Sequence, residues 1–438
     1  MHLAFIAPPF TSHVRAMESL AGVLLDRGHQ VSWIHQIDVK PLIRDRRIAF
    51  HAVGLDIRPA GSLDPIVTRA AHPGGPLGLK RVIADVASTT DMLCREMPAL
   101  LNRLGVDGVV ADQMEAAGGL VAEGIGAPFV SVACALPVNR DPHVPLPVMP
   151  WGYARDPKGL QLNEGSTSVY DWLMRRHGDV IRNHAVRFGL EERQAMHECL
   201  SPLAQISQTT AGFDFPRQDL PTTFHHVGPL RGARTEEPPL ELPLDAKRPF
   251  VFASLGTLQG WRIGLFERIA DACRLENFQL LIAHCDRLDS RQEAALRRRG
   301  ATAVTGFAPQ RSALARADLV VTHAGLNTVL DAMEAGTPQL ALPIAFDQPG
   351  VAARVVQAGS GLSVLPLLAR PITLRRSMRR LIEEPPFAIR SRALGEEIAA
   401  SGGATWAADI VETAIATRRP ITRRQAAIAP VQDGAPRE

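Results

Sequence analysis

The sequence predicts an α/β protein made of two doubly wound domains, each a parallel sheet covered by helices on both faces. Three observations carry this reading. Short apolar runs without alternation recur along the chain, as in strands buried on both faces. Amphipathic stretches separate most of them, so that strand, helix and strand fit within about 35 residues, the size of a βαβ unit. A proline-rich, charged stretch at 229–249 interrupts the series, which then begins afresh.

The elements follow in order. Residues 3–7 (LAFIA) read as a first strand. Residues 12–27 place Val14, Met17, Leu20, Ala21, Leu24 and Leu25 on one helical stripe. Gly28 stands where a helix favours a left-handed C-terminal residue. Residues 31–34 (VSWI) make the next strand, and 106–112 and 128–134 are further strands with a helix between them. Beyond the linker, strands are expected at 250–256, 279–285, 301–307, 317–323 and 339–344. The division is therefore a first domain over 1–228, a linker over 229–249 and a second domain over 250–418. The last helix is placed to cross back onto the first domain. Residues 419–438 lack periodicity and are expected to be mobile. One large domain with an inserted loop is the competing reading, and the restarted strand series argues against it.

Composition excludes several classes. Lys+Arg is 48 and Asp+Glu 45 in 438 residues, a formal charge of +3, without the excess that marks a dedicated nucleic-acid binder. Hydrophobic residues at 46% and charged residues at 21% are ordinary for a globular protein rather than a disordered one. No apolar run approaches the roughly 18–20 residues of a membrane-spanning helix. The N-terminus has no basic region, and Pro8 and Pro9 cut its apolar stretch short, so it does not read as a secretory signal. Cys94, Cys134, Cys199, Cys273 and Cys285 are scattered and lack CxxC spacing. They fit reduced thiols of a cytoplasmic protein, not a disulfide framework or zinc site.

Ligands of doubly wound sheets collect at the carboxyl ends of the strands. The first such end, APPFTSH, carries His13 at the mouth of a helix. It lacks the G-x-G-x-x-G loop of a nicotinamide-dependent oxidoreductase. A histidine there can act as a general base or be an ordinary polar residue of a helix start. Asp112 ends the strand VVAD; it can orient that histidine or cap the next helix. In the second half, THAGLNTVLDAMEAG places His323 before a helix starting near Leu326, where free N–H groups and the dipole favour phosphate. Gly325 permits close backbone approach, and Asn327 and Thr328 add donors. Asp331 lies about two turns further along. Phe307, in GFAPQ with Gln310, offers a ring that can stack on a base. Asp347 and Gln348, in IAFDQPG, suit sugar hydroxyls. Each feature is weak alone, but the ordered set spans only 42 residues (307–348) and describes a nucleotide-sugar site.

F-x-P-Q, H-x-G-x-N-T-x-x-x-D and D-Q, in that order, resemble the donor-binding signature of the family-1 glycosyltransferases. IAPPFTSHVRAM, VADQMEAAG, SVACALP, YDWLMRRH, SPLAQISQ, FASLGTLQG and LALPIAFDQPGVA are similar to the bacterial branch that glucosylates hydroxylated carotenoids such as zeaxanthin. The likeness runs from the first strand to about residue 415. It implies the GT-B fold, two facing Rossmann-like domains with the active site in the cleft. It further implies inverting transfer of glucose from UDP-glucose, with His13 as base and Asp112 as its partner. Ser254 and Thr257 would lie at the diphosphate with His323, Asn327 and Thr328. Phe307 would stack on uracil beside Gln310, Asp331 would take the ribose hydroxyls, and Asp347 and Gln348 the hexose. Many relatives carry Trp at the positions of Phe307 and Leu326 and Glu at that of Asp331.

No D-x-D cluster is placed to hold a divalent metal, so neither metal nor cofactor is expected. The acceptor falls to the first half, where Met149 and Trp151 are candidates to wall an apolar channel; ordinary loop packing is the alternative. Because a carotenoid resides in a bilayer, a peripheral position at the membrane is expected. Arg375, Arg376, Arg379 and Arg380, or Arg418, Arg419, Arg423 and Arg424, are candidate lipid contacts, against the reading of a solvated basic face. Rival functions are transfer to a flavonoid or polyketide, and a GT-B nucleotide-sugar epimerase, which would not need the pair His13 and Asp112.

Overall fold

The computed structural model describes residues 1–232 and 237–423. Seven parallel strands form the first sheet: β1 (His2–Ile6), β2 (Gln30–His35), β3 (Ala49–Ala52), β4 (Gly108–Asp112), β5 (Phe129–Ala133), β6 (Gln205–Ser207) and β7 (Phe224–His226). They are ordered β3-β2-β1-β4-β5-β6-β7. Six form the second: β8 (Phe250–Ser254), β9 (Gln279–Ala283), β10 (Ala303–Thr305), β11 (Leu319–Thr322), β12 (Gln339–Ala341) and β13 (Gly361–Ser363), ordered β10-β9-β8-β11-β12-β13. In both sheets the order reverses beside the first strand, at β1–β4 and at β8–β11. Such a switch opens a crevice at the carboxyl ends of the strands.

Burial explains why these segments are strands. Leu3, Phe5, Val109, Val110, Val251, Leu280 and Val320 are fully buried, because helices cover both faces of each sheet. The helix Thr11–Asp26 turns Val14, Met17, Leu20 and Leu24 inward, and Gly28 ends it at φ 86°. The helix Gly403–Thr417 leaves the second half and packs its Ala407, Ile410, Val411 and Ala414 into the first sheet's core, against Leu20 and Val31. Its approach is so close that a Cβ on Gly108 would lie 2.5 Å from Ile415.

One expectation about the chain end is corrected. The start of the expected mobile tail is held to the first half: the Ile421 N–H donates to Leu203 O at 2.8 Å and the Arg423 N–H to Thr222 O at 3.0 Å. The remainder, 424–438 with Arg424, lies outside the described residues. Within the linker, Leu240, Leu242 and Leu244 pack against the second core; its residues 233–236 lie outside the described ones. Among the described residues no helix is long and apolar enough to cross a membrane.

Candidate active site

Between the two sheets lies a cavity of about 1270 Å³, lined from both halves. It exceeds the roughly 300–1,000 Å³ of an ordinary small-ligand pocket and has room for two substrates. His13, Ser254, Thr257, Phe307, Gln310, His323, Gly325, Asn327, Thr328, Asp347 and Gln348 all line it.

His13 sits in the first turn of its helix, at the end of β1, and Asp112 ends the neighbouring β4. Their Nδ1 and Oδ2 atoms are 2.6 Å apart. Asp112 is fully buried, and its Oδ1 accepts from the Met114 N–H at 2.9 Å. With the Nδ1 proton donated to Asp112, the Nε2 lone pair is the one left for chemistry. Burial disfavours the charged ring, but the Asp112 carboxylate and its hydrogen bond outweigh this and raise the His13 pKa above 6.5, with Asp347 adding to the effect. Cys134 Sγ lies within 4.8 Å of both partners. Burial and the Asp112 charge push this thiol well above 9, so it stays protonated and is a poor metal ligand.

The second half brings five strand ends to the cavity, those of β8, β9, β10, β11 and β12. Gly256 (φ +72°) starts the short helix Gly256–Gln259 after β8, and a Cβ there would lie 2.6 Å from the His323 ring. A Cβ on Gly325 would approach the same ring to 2.5 Å. The imidazole is thus clasped by two glycines at the mouth of the helix Leu326–Glu334. Burial lowers its pKa to about 4, partly countered by a hydrogen bond to the Ser254 main chain. His323 is therefore a neutral ring, able to donate one N–H but not to add a charge. Ala324 (φ 65°), Phe346 (φ 56°), Cys285 (φ 57°) and Asp286 (φ 55°) hold left-handed backbone after β11, β12 and β9. Such conformations are costly for non-glycine residues and gather at functional sites. Phe307 is 64% exposed, leaving its ring available for stacking.

The two halves meet directly at the cavity. The Phe10 and Phe346 rings are 5.8 Å apart, and the Leu136 N–H donates to Asp347 Oδ2 at 3.4 Å. Burial raises the Asp347 carboxyl, partly opposed by that N–H and by His13. Gln348 uses its Oε1 to accept from the N–H groups of Ile344 and Ala345, at 2.9 and 2.8 Å, leaving its NH₂ for a ligand.

Four assigned side chains do not line the cavity: Asp112, which reaches it only through His13, and Asp331, Trp151 and Met149. Asp331 faces Arg231 as an ion pair, and its Oδ2 accepts from Gln310 Nε2 at 2.6 Å, so its carboxylate is engaged by protein groups. Trp151 donates its indole N–H to Asn163 Oδ1 at 2.9 Å, which turns the ring toward the helix Pro157–Arg187. Met149 is folded into a turn by its N–H bond to Leu146 O, 2.9 Å. Leu146, Pro147 and Val148 of the same loop do line the cavity. Sequence reasoning missed Phe10, Phe346 and Arg231. The two phenylalanines stand beside assigned residues, whereas Arg231, inside the linker, gave no signal.

The proposed lipid contacts are also changed. Arg375 and Arg379 bind Glu276, and Arg380 binds Glu384 at 2.8 Å, so three of the four cations on that helix are already paired.

Residues 282–414 match the family model for the C-terminal domain of erythromycin biosynthesis protein CIII-like proteins. The chain is 50% identical over 423 residues to the zeaxanthin glucosyltransferase of Pantoea ananas, covering 96% of this chain and 97% of that one. To the zeaxanthin glucosyltransferase of Pseudescherichia vulneris it is 45% identical, covering 95% and 98%. The solved calicheamicin glycosyltransferase CalG4 shares the fold at a TM-score of 0.72 and 21% identity, over 96% of this chain and 99% of that one. With two facing sheets, a cleft at their switch points and half its residues shared with such an enzyme along nearly its whole length, the chain belongs to the family-1 glycosyltransferases of GT-B fold and is a hexosyltransferase.

Proposed function

We propose that the protein transfers glucose from UDP-glucose to the hydroxyl groups of zeaxanthin, with inversion, giving the mono- and then the di-β-glucoside. The near full-length likeness to two zeaxanthin glucosyltransferases supports the acceptor. The observation that carries the mechanism is the 2.6 Å pairing of His13 with Asp112 at the edge of a cavity that also holds the donor residues. The first half takes the acceptor and the second the nucleotide sugar.

A neutral hydroxyl is a poor nucleophile, so Nε2 of His13 removes its proton as oxygen attacks the anomeric carbon from the face opposite the diphosphate. Asp112 steadies the resulting imidazolium. The leaving diphosphate gains negative charge, and its stabilisers are fixed donors: Thr257, His323, Asn327, Thr328 and the N–H groups opening the helix Leu326–Glu334. Because these are neutral, preoriented groups, the reaction needs no divalent metal. Phe307 stacks on uracil, and Asp347 and Gln348 hold the hexose. Asp331 supports Gln310 rather than touching ribose. UDP release should therefore require zeaxanthin and persist in a chelator. Equal release with a flavonoid or polyketide would discard the carotenoid, and loss of activity restored by magnesium would discard metal independence.

The base sets an acid limb. His13 works only as the neutral ring, and its raised pKa means that activity falls as pH drops through a value above 6.5. In Asp112→Asn the elevating charge is gone while burial remains, so the limb should move to lower pH as kcat falls. A limb unmoved in kcat/KM profiles would exclude His13 as the titrating group.

Contact with the bilayer is proposed through the first half. Leu55, Ile57, Leu77 and Leu79 are exposed around the helices Leu63–Ala71 and Pro76–Leu104, whose Ile66, Val82 and Val86 line the cavity. An apolar acceptor can pass from membrane to cavity along this edge. Leu77→Asp should reduce flotation with vesicles; undiminished flotation would place the contact elsewhere.

A further inference from the structure

Asn327 ends in an amide whose two atoms differ in chemistry: Nδ2 carries two donors, and Oδ1 only accepts. Turned one way the amide binds phosphate oxygens; turned the other way it repels them. The last torsion of an asparagine is broad and roughly two-fold, so the side chain alone does not choose between the two.

The choice is made from the first half. Gln208 closes the segment SPLAQISQ, directly follows β6 and is buried. Its Oε1 accepts from the Leu230 N–H at 2.9 Å, and its Nε2 donates to Cys134 O at 2.9 Å. A main-chain N–H can only donate and a main-chain carbonyl can only accept, so these two bonds fix the sense of the Gln208 amide. The second hydrogen of Nε2 is directed at Asn327, 3.4 Å away, and the atom that meets it must be an acceptor, Oδ1. Nδ2 of Asn327 is thereby left for a ligand, and Asn327 lines the cavity while Gln208 stands behind it, outside the lining. Packing holds this spacing. Leu136 and Phe213 of the first half share one buried apolar cluster with Leu326, Val329 and Leu330 of the helix that carries Asn327.

We propose that Gln208 is a positioning residue of the donor site: through Oδ1 of Asn327 it sets that amide to donate to the diphosphate, although Gln208 touches neither substrate. Gln208 belongs to the half assigned to the acceptor, so the phosphate contacts are complete only when the two halves are seated on each other. This rests on the reading above that places Asn327 at the diphosphate, and extends it by naming the group that orients the amide.

The test is a double-mutant cycle on the full-length protein, read as the Kd for UDP-glucose by calorimetry. In Gln208→Glu an oxygen replaces Nε2, and Asn327 turns its Nδ2 toward that oxygen and its Oδ1 toward the diphosphate; Kd should rise about tenfold or more. In Gln208→Met the amide is freed rather than reversed, and Kd should rise about threefold. In an Asn327→Ala background neither substitution should change Kd by more than about twofold, because no amide remains to be oriented. A merely structural role would weaken donor binding by the same factor in both backgrounds. Should Gln208→Glu fold poorly, Gln208→Met carries the same cycle. Equal factors in the two backgrounds, or an unchanged Kd in the Gln208 variants while Asn327→Ala weakens binding, would overturn the proposal. An unchanged Kd in Asn327→Ala would overturn the placement of Asn327 at the diphosphate, and the proposal with it.

Discussion

Replacing His13 by Ala should lower kcat about 10²–10⁴-fold while the Kd for UDP-glucose changes by less than about twofold. The two effects separate because His13 belongs to the first half and is held by Asp112, whereas the groups assigned to the nucleotide all come from the second half. The substitution removes the acceptor of the proton and leaves the stabilisers of the leaving diphosphate in place. Asp112→Asn should cost less, since an asparagine still orients the ring but no longer stabilises the imidazolium. Rapid-quench kinetics with calorimetric donor binding reads both quantities. Turnover preserved in His13→Ala would remove the base assignment, and donor binding lost along with turnover would show that His13 shapes the donor site.

Replacing Arg354 by Met should lower the unfolding free energy by about 3 kcal/mol, the lower part of the 3–5 kcal/mol typical of breaking a buried ion pair. Arg354, on the helix Gln348–Gln357, is fully buried; its Nε donates to Asp214 Oδ1 at 2.6 Å, and its guanidinium lies 4.3 Å from the centre of the Phe215 ring. Burial alone would raise the Asp214 carboxyl, but Arg354 and Arg217 outweigh it and hold it well below the usual carboxylate range. A depressed carboxyl contributes stability above its unfolded pKa and loses it as pH falls through the folded value, so the whole effect is present at neutral pH. Arg217, 2.8 Å away, remains in the variant and limits the loss. Because Asp214 lies in the β6–β7 connection and Arg354 in the second half, the variant should also let the halves unfold in separate transitions. A denaturation midpoint within the equivalent of 1 kcal/mol of the original would contradict this.

How much was legible in the sequence follows from where the determining contacts lie. Strands buried on both faces, such as β1, β4, β8 and β11, announce themselves by unbroken apolar runs. β3 (AFHA), β6 (QIS), β7 (FHH) and β13 (GLS) do not, being three or four residues long and mixed in polarity; they are strands only because a neighbour offers a ladder. That the turns after β8, β10, β11 and β12 would line one cavity was readable because their residues form short motifs at strand ends. The fates of Asp331 and Trp151 were not. Arg231, which takes Asp331, is 100 residues away in the sequence, and Asn163, which turns Trp151, sits on a helix whose placement the sequence alone does not specify. The Arg354–Asp214 pair, 140 residues apart, left no local trace for the same reason.

The most direct measurement is mass spectrometry of the pigment recovered after incubating the purified protein with UDP-glucose and detergent-dispersed zeaxanthin. Species carrying one and then two added hexoses, appearing in that order and cleaved by a β-glucosidase, are the expected result. Unmodified pigment, with UDP released only when another acceptor is supplied, would contradict it.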